Sequence, residues 1–319
     1  MSHPEKSIPT ILDCDPGHDD MVAIMLAAAH PRIDLRAITT VAGNGTLEHT
    51  TYNARAVCSL AGIRDVPIAA GAPGPLVGSL HTAANVHGES ALGGAELPRP
   101  DVEVTGEHAV DLIARLLRES AAPVTLVPTG PLTNIALLIQ RHPDIAPRIR
   151  EIVLMGGSAD VGNVEPLAEF NIHVDPEAAD TVFTSGLPLT MCGLNVTHKA
   201  LATEAVLDRL RGLETPLADT VVRLLEFCGA RYREIWGLPA PPLHDPVAVA
   251  RLIDPELVRC EDAHVAVELH GTHTRGATVC DRFGVRGRAS NAKVAMDLDA
   301  PGFWDLVVAA VERLEPTPR

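Results

Sequence analysis

The chain has 319 residues, of which 46% are hydrophobic and 3% are aromatic, and its formal net charge is −15. This length is enough to bury a large core, which Ala, Val, Leu and Ile must fill because aromatic side chains are scarce. The strong negative charge argues against a nucleic acid polymer as partner, since phosphate backbones are bound by basic surfaces.

Short β-rich runs alternate with helical patterns along most of the chain. In chain order the patterns predict a strand at 8–12, a helix at 19–30, a strand at 35–41, a helix at 47–61, a strand at 66–69, a helix at 108–119, a strand at 124–127, a helix at 132–140, a strand at 152–155, a helix at 176–184 and a strand at 189–192. Helices at 206–211 and 217–232, strands at 264–269, 277–281 and 294–297, and a helix at 303–314 complete the prediction.

This alternation is typical of the α/β class, with a mostly parallel, Rossmann-like central sheet flanked by helices and a site at the carboxyl ends of the strands. The chain shows no linker, repeat or low-complexity segment, so we predict a single domain over residues 1–319. Two long loops, at 71–100 and 237–244, are candidate lids, because long loops in compact α/β domains are often functional.

The cysteines and the apolar stretches bear on where the protein works. None of the six cysteines forms a CxxC pair, which indicates reduced thiols rather than disulfides or a zinc site. Residues 1–10 contain no apolar signal core, and the longest apolar stretch, 21–29, is too short to span a bilayer. We therefore expect a cytoplasmic protein that does not enter the membrane.

Four carboxylates follow the first predicted strand within eight residues: Asp13, Asp15, Asp19 and Asp20. A helix N-terminus accounts for Asp19 and Asp20, because acids in the first turn complement the helix dipole, but it does not account for Asp13 and Asp15. Four like charges at the carboxyl end of a strand repel one another unless a cation compensates them. A hard divalent cation with oxygen ligands is the natural partner, so the cluster predicts a metal site.

The motif DCDPGHDD at 13–20 resembles the signature of the inosine-uridine nucleoside hydrolase family. Further segments are similar to that family in the same order: VAGN at 41–44, VPTGPLTN at 127–134, VLMGG at 153–157, AEFN at 168–171 and His244-Asp245. Together they cover the chain from residue 8 to the final helix. The resemblance implies an enzyme that hydrolyses the N-glycosidic bond of ribonucleosides to base and ribose, with a Ca²⁺ ion, commonly as a homo-oligomer and often as a tetramer.

The resemblance also implies roles for individual residues near the metal and the ribose. Asp15, Asp20, Asp245 and the backbone carbonyl of Thr129 would bind calcium, with Asp15 also the general base that activates water. The substrate-binding residues so implied are Asp19 at the 2′-hydroxyl, Asn171 at the 3′-hydroxyl, Glu169 and Asn163 at the 5′-hydroxyl, Asn44 near the reacting centre, and Met155. The alternation in Glu169-Phe170-Asn171 suggests an extended segment with both polar side chains on one face, which by itself is typical of an exposed edge strand.

The leaving base needs its own contacts. His244 follows a proline-rich loop and is the expected aid to the departing base, although an Asp-Pro helix start explains its neighbour Asp245 equally well. By the resemblance His87 lies near the base, with His81 as its competitor in the same loop. Trp236 stands where relatives often carry Tyr, and its indole is expected to bind substrate by stacking on the base. Tyr232 falls one helical turn earlier, and an indole N–H lacks the acidity of a phenol, so the resemblance does not carry over a proton relay from Tyr.

Two other functions are compatible with parts of the sequence. A metal-dependent phosphohydrolase should carry basic phosphate-binding residues near the acids, and none occurs between Ile8 and Arg32. A non-catalytic nucleoside- or ribose-binding protein needs no carboxylate cluster. The preference for pyrimidine or purine bases stays open at this point, because members of either specificity share these motifs.

Overall fold

The computed structural model describes residues 7–95 and 97–314, and it places nine strands of this range in one sheet. The strands are β1 Ile8–Cys14, β2 Ile33–Thr40, β3 Ile68–Ala70, β4 Val124–Pro128, β5 Ile149–Met155, β6 Leu189–Cys192, β7 Val258–Val267, β8 Thr278–Asp281 and β9 Ala292–Leu298. The helices are α1 His18–Ala29, α2 Leu47–Leu60, α3 Ala84–His87, α4 Ala109–Glu119, α5 Thr133–Arg141, α6 Phe170–Val174, α7 Pro176–Phe183, α8 Leu194–Thr197, α9 Glu204–Arg211, α10 Pro216–Trp236, α11 Pro246–Ile253 and α12 Ala300–Arg313, with a 3₁₀ helix at Pro143–Arg148.

The sheet order is β3-β2-β1-β4-β5-β6-β9-β7-β8. All neighbouring pairs from β3 to β9 are parallel, and β7 runs antiparallel to both β9 and β8. Apolar clusters lie on both faces of this sheet, one under α1, α10, α11 and α12 and the other under α4, α5 and α7. The predicted α/β class with a mostly parallel sheet is therefore confirmed.

The strand order reverses between β1 and β4, because β2 and β3 lie on one side of β1 and β4 to β6 on the other. At this position the two strands are paired to their carboxyl ends, with Asp13 opposite Pro128. A crevice at such a reversal is where open α/β sheets bind ligands. The register thus brings Asp15 and Thr129, which follow these two strands, to the same edge of the sheet.

Helix α1 follows β1, and its first turn holds two of the acids. These are Asp19 and Asp20, and the carboxylate of Asp20 accepts the backbone N–H of Gly17 at 3.1 Å, which caps the helix start. The run 21–27 is buried almost completely because α1 packs against α11 and α12. The acids therefore lie on a rigid element rather than on a loop.

Three predictions about local structure are corrected. Residues 169–171 are not an extended edge: Glu169 caps the short helix α6, because its carboxylate accepts the backbone N–H groups of Asn171 and Ile172. Part of the loop predicted at 71–100 forms helix α3. Strand β7 begins six residues before the predicted start, since its polar first half is half-exposed and hides the alternation.

Other predictions concern the whole chain. All six cysteines are free, and Cys14, Cys58, Cys192 and Cys228 are buried, as predicted. The part of the chain that the structure describes contains no helix long and apolar enough to cross a membrane. The single-domain prediction covers residues 1–319, of which 1–6, 96 and 315–319 lie outside the described residues.

Candidate active site

Four carboxylates meet at the carboxyl end of β1. Asp15 lies one residue beyond the strand, Asp19 and Asp20 lie in the first turn of α1, and Asp245 precedes α11. One carboxylate oxygen from each of Asp19, Asp20 and Asp245 lies within 4.8 Å of the other two. Asp245 makes no side-chain capping bond to α11, so its carboxylate faces the other acids instead of serving the helix start.

The carboxylate of Asp15 occupies a space that two glycines leave open. A Cβ at Gly43 would overlap Oδ2, and one at Gly130 would stand 2.6 Å from Oδ1. Oδ2 accepts the backbone N–H of Asn44 at 2.7 Å, whereas Oδ1 has no hydrogen-bond partner among the described residues. A buried carboxylate oxygen without a donor is costly, so this atom indicates a missing partner.

Burial and mutual repulsion hold these acids toward their protonated forms. Burial, with the charge of Asp20 second, raises the pKa of Asp15 well above its ordinary 3.8. The same two causes raise the pKa of Asp19 to about 7. Burial and the charges of Asp19 and Asp20 raise the pKa of Asp245 well above 3.8. Such a set of oxygen donors fits a hard divalent cation, which would favour the charged forms.

Asp13, the first acid of the motif, lies apart from this cluster. Its Oδ1 accepts the hydroxyl of Thr39 at 2.6 Å and the side-chain amide of Asn134 at 2.8 Å. Burial raises its pKa to about 7, so its other oxygen can carry a proton. The prediction that a cation accounts for Asp13 is therefore not supported by its contacts, which join β1, β2 and α5.

Thr129 and Asn171 connect the acids to the start of helix α6. The hydroxyl of Thr129 donates to Asp20 at 2.8 Å, and the carbonyl of Thr129 accepts the side-chain amide of Asn171 at 2.8 Å. The same amide nitrogen donates to the carbonyl of Met155 at 3.1 Å. These bonds fix the orientation of Asn171 and leave its side-chain oxygen as an acceptor.

Glu169 is buried and firmly held. Its carboxylate accepts the backbone N–H groups of Gly157 at 2.8 Å, Asn171 at 2.9 Å and Ile172 at 3.2 Å. Burial nevertheless raises its pKa to about 7, and the three hydrogen bonds act in the opposite direction. Next to it, Asn163 accepts the backbone N–H of Phe170 with its side-chain oxygen at 3.0 Å, which leaves its amide N–H groups to face the cavity.

His244 has a protein partner at each ring nitrogen. Nδ1 lies 2.7 Å from the hydroxyl of Thr197, and Nε2 lies 2.8 Å from the phenol oxygen of Tyr232. Burial lowers the pKa of His244 to about 3, so the ring is neutral near pH 7. Both ring nitrogens of His244 are therefore engaged by the protein, and the ring lines the cavity beside the phenol of Tyr232.

The position of Trp236 corrects the expectation drawn from spacing. Tyr232 and Trp236 lie one turn apart on α10, with ring centroids 4.6 Å apart, and both line the same cavity. The indole N–H of Trp236 donates to the carbonyl of Asn163 at 3.3 Å, across the mouth of the cavity. The phenol is thus present, supplied one helical turn earlier than the spacing suggested.

The two loop histidines, His81 and His87, lie in different surroundings. His87 is buried and lines the cavity, with its Nδ1 2.8 Å from Nδ1 of His18. His81 lies outside the lining and packs near His173, with ring centroids 6.3 Å apart. Of the two candidates, His87 therefore lines the cavity and His81 does not.

A single cavity of about 220 Å³ joins these groups. All the residues proposed from the sequence for binding substrate or metal line it except Asp15 and Asp20, which lie fully buried beneath its floor. The sequence reasoning did not assign several further lining residues: Thr82, Asn85, Val86, Val164, Phe170, Tyr232 and Ile235. For Tyr232 a signal existed, since residues four apart on a helix share a face with each other.

The chain resembles known proteins over nearly its whole length. Residues 10–305 match the family model of inosine-uridine preferring nucleoside hydrolases. The chain is 50% identical over 305 residues to the pyrimidine-specific ribonucleoside hydrolase RihA of Shewanella woodyi, which covers 95% of this chain and 98% of that protein. Its structure is similar to the purine-preferring ribonucleoside hydrolase from Gardnerella vaginalis, with a TM-score of 0.89, 34% identity, and coverage of 96% of this chain and 98% of the other.

Proposed function

Because this chain belongs to the inosine-uridine preferring nucleoside hydrolase family and is thus a hydrolase of N-glycosyl bonds, we propose that it cleaves pyrimidine ribonucleosides to base and ribose with a bound calcium ion. The observation that carries this proposal is one cavity with an acidic floor and a Tyr232–His244 pair in its wall. N-glycoside hydrolysis needs those two features on opposite sides of the sugar, an activated water and a stabilised leaving group.

The proposed calcium ligands are Asp15, Asp20, Asp245 and the carbonyl of Thr129. The unpartnered Oδ1 of Asp15 and the all-oxygen donor set support this choice, and a carbonyl that accepts one hydrogen bond keeps a second lone pair. When bound, the ion would lower the pKa of a bound water and hold the ribose hydroxyls against it. Asp19 lies close enough to the same carboxylates to share in this role.

Asp15 is the proposed general base. The backbone N–H of Asn44 donates to Oδ2 of Asp15, so Oδ1 is the oxygen free to accept the proton of the attacking water. Gly43 and Gly130 pack directly against the carboxylate of Asp15, which leaves no space for a side chain between them and holds the carboxylate in place. As the water attacks C1′, the ribose acquires oxocarbenium character and its bond to the base breaks.

The ribose is proposed to lie between the acids and helix α6. Asp19 would accept the 2′-hydroxyl and the fixed side-chain oxygen of Asn171 the 3′-hydroxyl, while Glu169 and Asn163 would contact the 5′-hydroxyl. The rigid hydrogen bonds to Glu169 and Asn171 support this arrangement, because a site that is already ordered loses little entropy when substrate binds. Asn44 and Met155 complete the walls near C1′.

Tyr232 is proposed to protonate the departing base, with His244 as its partner. If the hydroxyl of Thr197 donates to Nδ1, then Nε2 carries the ring proton and donates to the phenol oxygen. That arrangement turns the phenol proton toward the cavity. His244 then acts through Tyr232, which replaces the direct proton donation expected from the sequence.

The nature of the cavity favours a nucleoside over the two alternatives. None of the described lining residues is Lys or Arg, so the cavity offers a phosphate ester no permanently charged cation. A protein that only bound ribose would not need three buried acids and a half-buried fourth, all with raised pKa values. The pyrimidine preference is taken from relatives of about half identical sequence, and the purine-preferring relative is more distant.

The test is a nucleoside panel with the purified protein. Uridine, cytidine, inosine, adenosine and guanosine are incubated separately, and free base and ribose are both quantified by NMR. We expect equal release of base and ribose, fastest with uridine or cytidine. Release of ribose 1-phosphate in phosphate buffer, or no release from any nucleoside, would contradict the proposal. Light scattering on the same sample tests our further proposal that the chain forms a homo-oligomer.

A further inference from the structure

Two buried histidines face each other behind the base side of the cavity. Nδ1 of His18 lies 2.8 Å from Nδ1 of His87, and Nε2 of His18 lies 2.7 Å from the carbonyl oxygen of Gly93. The rings of His18 and His87 meet edge to edge with centroids 5.1 Å apart, and the Phe227 ring lies near His18 with centroids 5.5 Å apart at an interplanar angle of 15°. His18 does not line the cavity itself, whereas His87 does.

These contacts determine which nitrogens carry protons. A carbonyl oxygen only accepts hydrogen bonds, so Nε2 of His18 must be the donor to Gly93. In a neutral ring Nδ1 of His18 is then an acceptor, and the short contact requires a proton on Nδ1 of His87. A charged His18 is disfavoured because the ring is buried against His87 and Phe227.

One weaker contact points the other way. The backbone N–H of His18 lies 3.5 Å from Nδ1 of His87, which would ask that nitrogen to accept. At this distance it is at the limit of a hydrogen bond, and the 2.8 Å contact is the stronger one. The proton therefore remains on Nδ1 of His87, and its Nε2 is left with a lone pair.

We propose that His18 is a positioning residue that locks His87 in the Nδ1–H tautomer and so presents Nε2 of His87 to the nucleobase as a hydrogen-bond acceptor. This inference rests on the proposed function, since it names the feature of the substrate that the site selects. The bases it selects carry an N–H donor on the edge away from the sugar, as uracil does at N3 and cytosine at its amino group. His87 accepts from the base while Tyr232 donates to it, so the two groups have separate tasks.

Two substitutions at His18 separate tautomer control from mere packing. His18→Asn can place its side-chain oxygen where Nδ1 stood, because both atoms are two bonds from Cβ, and it keeps the acceptor for His87. His18→Leu fills the space without an acceptor. His87→Gln and the double variant His18→Leu/His87→Gln complete a double-mutant cycle. If His18 acts through His87, His18→Leu has no further effect in the His87→Gln background.

The direct readout is NMR of protein labelled with ¹⁵N-histidine, with the His87 signals assigned by their loss in His87→Gln. We expect Nδ1 of His87 to be protonated in the wild type and in His18→Asn, and the Nδ1–H form to be lost in His18→Leu. The catalytic readout is kcat/KM for uridine, 3-methyluridine and p-nitrophenyl riboside. His18→Leu should lose about tenfold on uridine, the value of one hydrogen bond, and much less on the two substrates without the base N–H.

A protonated Nε2 of His87 in the wild type would overturn the inference, and so would equal losses for His18→Leu on all three substrates. An effect of His18→Leu that persists in the His87→Gln background would show a structural role only. Wild-type protein that hydrolyses no nucleoside would defeat the proposed function, whereas the NMR result would still decide the tautomer. If His18→Leu does not fold, the wild type and His18→Asn still give that result.

Discussion

The phenol oxygen of Tyr232 lies 2.8 Å from Nε2 of His244, and both side chains line the cavity that Asp19 and Asp245 also line. The tyrosine comes from α10, and the histidine precedes α11, with the proline-rich loop between them. Since His244 is bound at both nitrogens, the pair has one free polar group toward the substrate, the phenol. This relationship supports the proposal that Tyr232 serves the leaving base.

Tyr232→Phe should therefore slow uridine hydrolysis by about 10² or more, since a positioned general acid contributes on that scale. It should slow p-nitrophenyl riboside far less, because p-nitrophenolate leaves without a proton. The measurement is kcat for both substrates. The chain's other tyrosine, Tyr52, is 46% exposed and does not line the cavity, so Tyr52→Phe is the matched control.

His244→Ala belongs to the same test and should show the same selectivity between the two substrates. The double variant with Tyr232→Phe should be little worse than either single variant, because His244 acts through the phenol. Equal losses on uridine and p-nitrophenyl riboside would instead show that the pair only positions the sugar or the loop.

Ribose should be strongly preferred to 2′-deoxyribose. The proposed contact of the 2′-hydroxyl with Asp19 and the cation leaves a buried carboxylate unpaired when the hydroxyl is absent, which costs more than a missing apolar group. We expect kcat/KM for 2′-deoxyuridine to be lower than for uridine by 10³ or more. Comparable values for the two substrates would contradict the proposed position of the ribose.

Calcium should raise the melting temperature of protein from which metal has been removed. Ligand binding to the folded state adds RT ln(1 + [L]/Kd), about 2.7 kcal/mol at a hundredfold excess over Kd. Asp245→Asn should reduce this gain, while Asp34→Asn, an exposed acid away from the cavity, should leave it unchanged. A melting temperature that does not respond to calcium in verified metal-free protein would refute the site.

The stabilisation by calcium should also grow as the pH rises from 5 to 7.5. Asp19 has its pKa raised from 3.8 to about 7 by burial, so in metal-free protein it stabilises the fold while protonated, and that stability is lost as pH rises through this range. Calcium favours the ionised form and opposes the loss. The measured quantity is the difference in melting temperature with and without calcium at each pH. The titration of the buried histidines affects both melting temperatures alike and so cancels in this difference. A difference that shrinks with pH would contradict the assignment.

Much of the fold could be predicted because periodicity and burial agree. The strands at the centre of the sheet are buried on both faces and are continuous apolar runs, as in β4, Val124–Pro128. The prediction for strand β7 starts too late, because Glu261 and Asp262 interrupt the apolar pattern on its exposed face. Helix α6 was missed because its start depends on the carboxylate of Glu169, which is held in place by Gly157 from a distant segment.

The candidate site could be predicted where function is concentrated in a short motif. The acids at 13–20 indicate a site from the sequence alone, because four carboxylates lie within eight residues. Most residues inferred from the resemblance line one cavity. Thr197, which fixes His244, has no local signal, since the contact spans 47 residues of chain. Likewise the role of His18 depends on Gly93 and His87, whose positions follow from the path of a long loop.

The most direct test of the account is the Asp15→Asn substitution, measured as ribose release from uridine. Asparagine keeps the volume between Gly43 and Gly130 but removes the base, so kcat should fall by at least about 10³. The variant should keep the circular dichroism spectrum of the wild type. Wild-type activity should disappear on metal removal and return with calcium. A folded Asp15→Asn protein with near-wild-type turnover would contradict the central claim that Asp15 activates the attacking water.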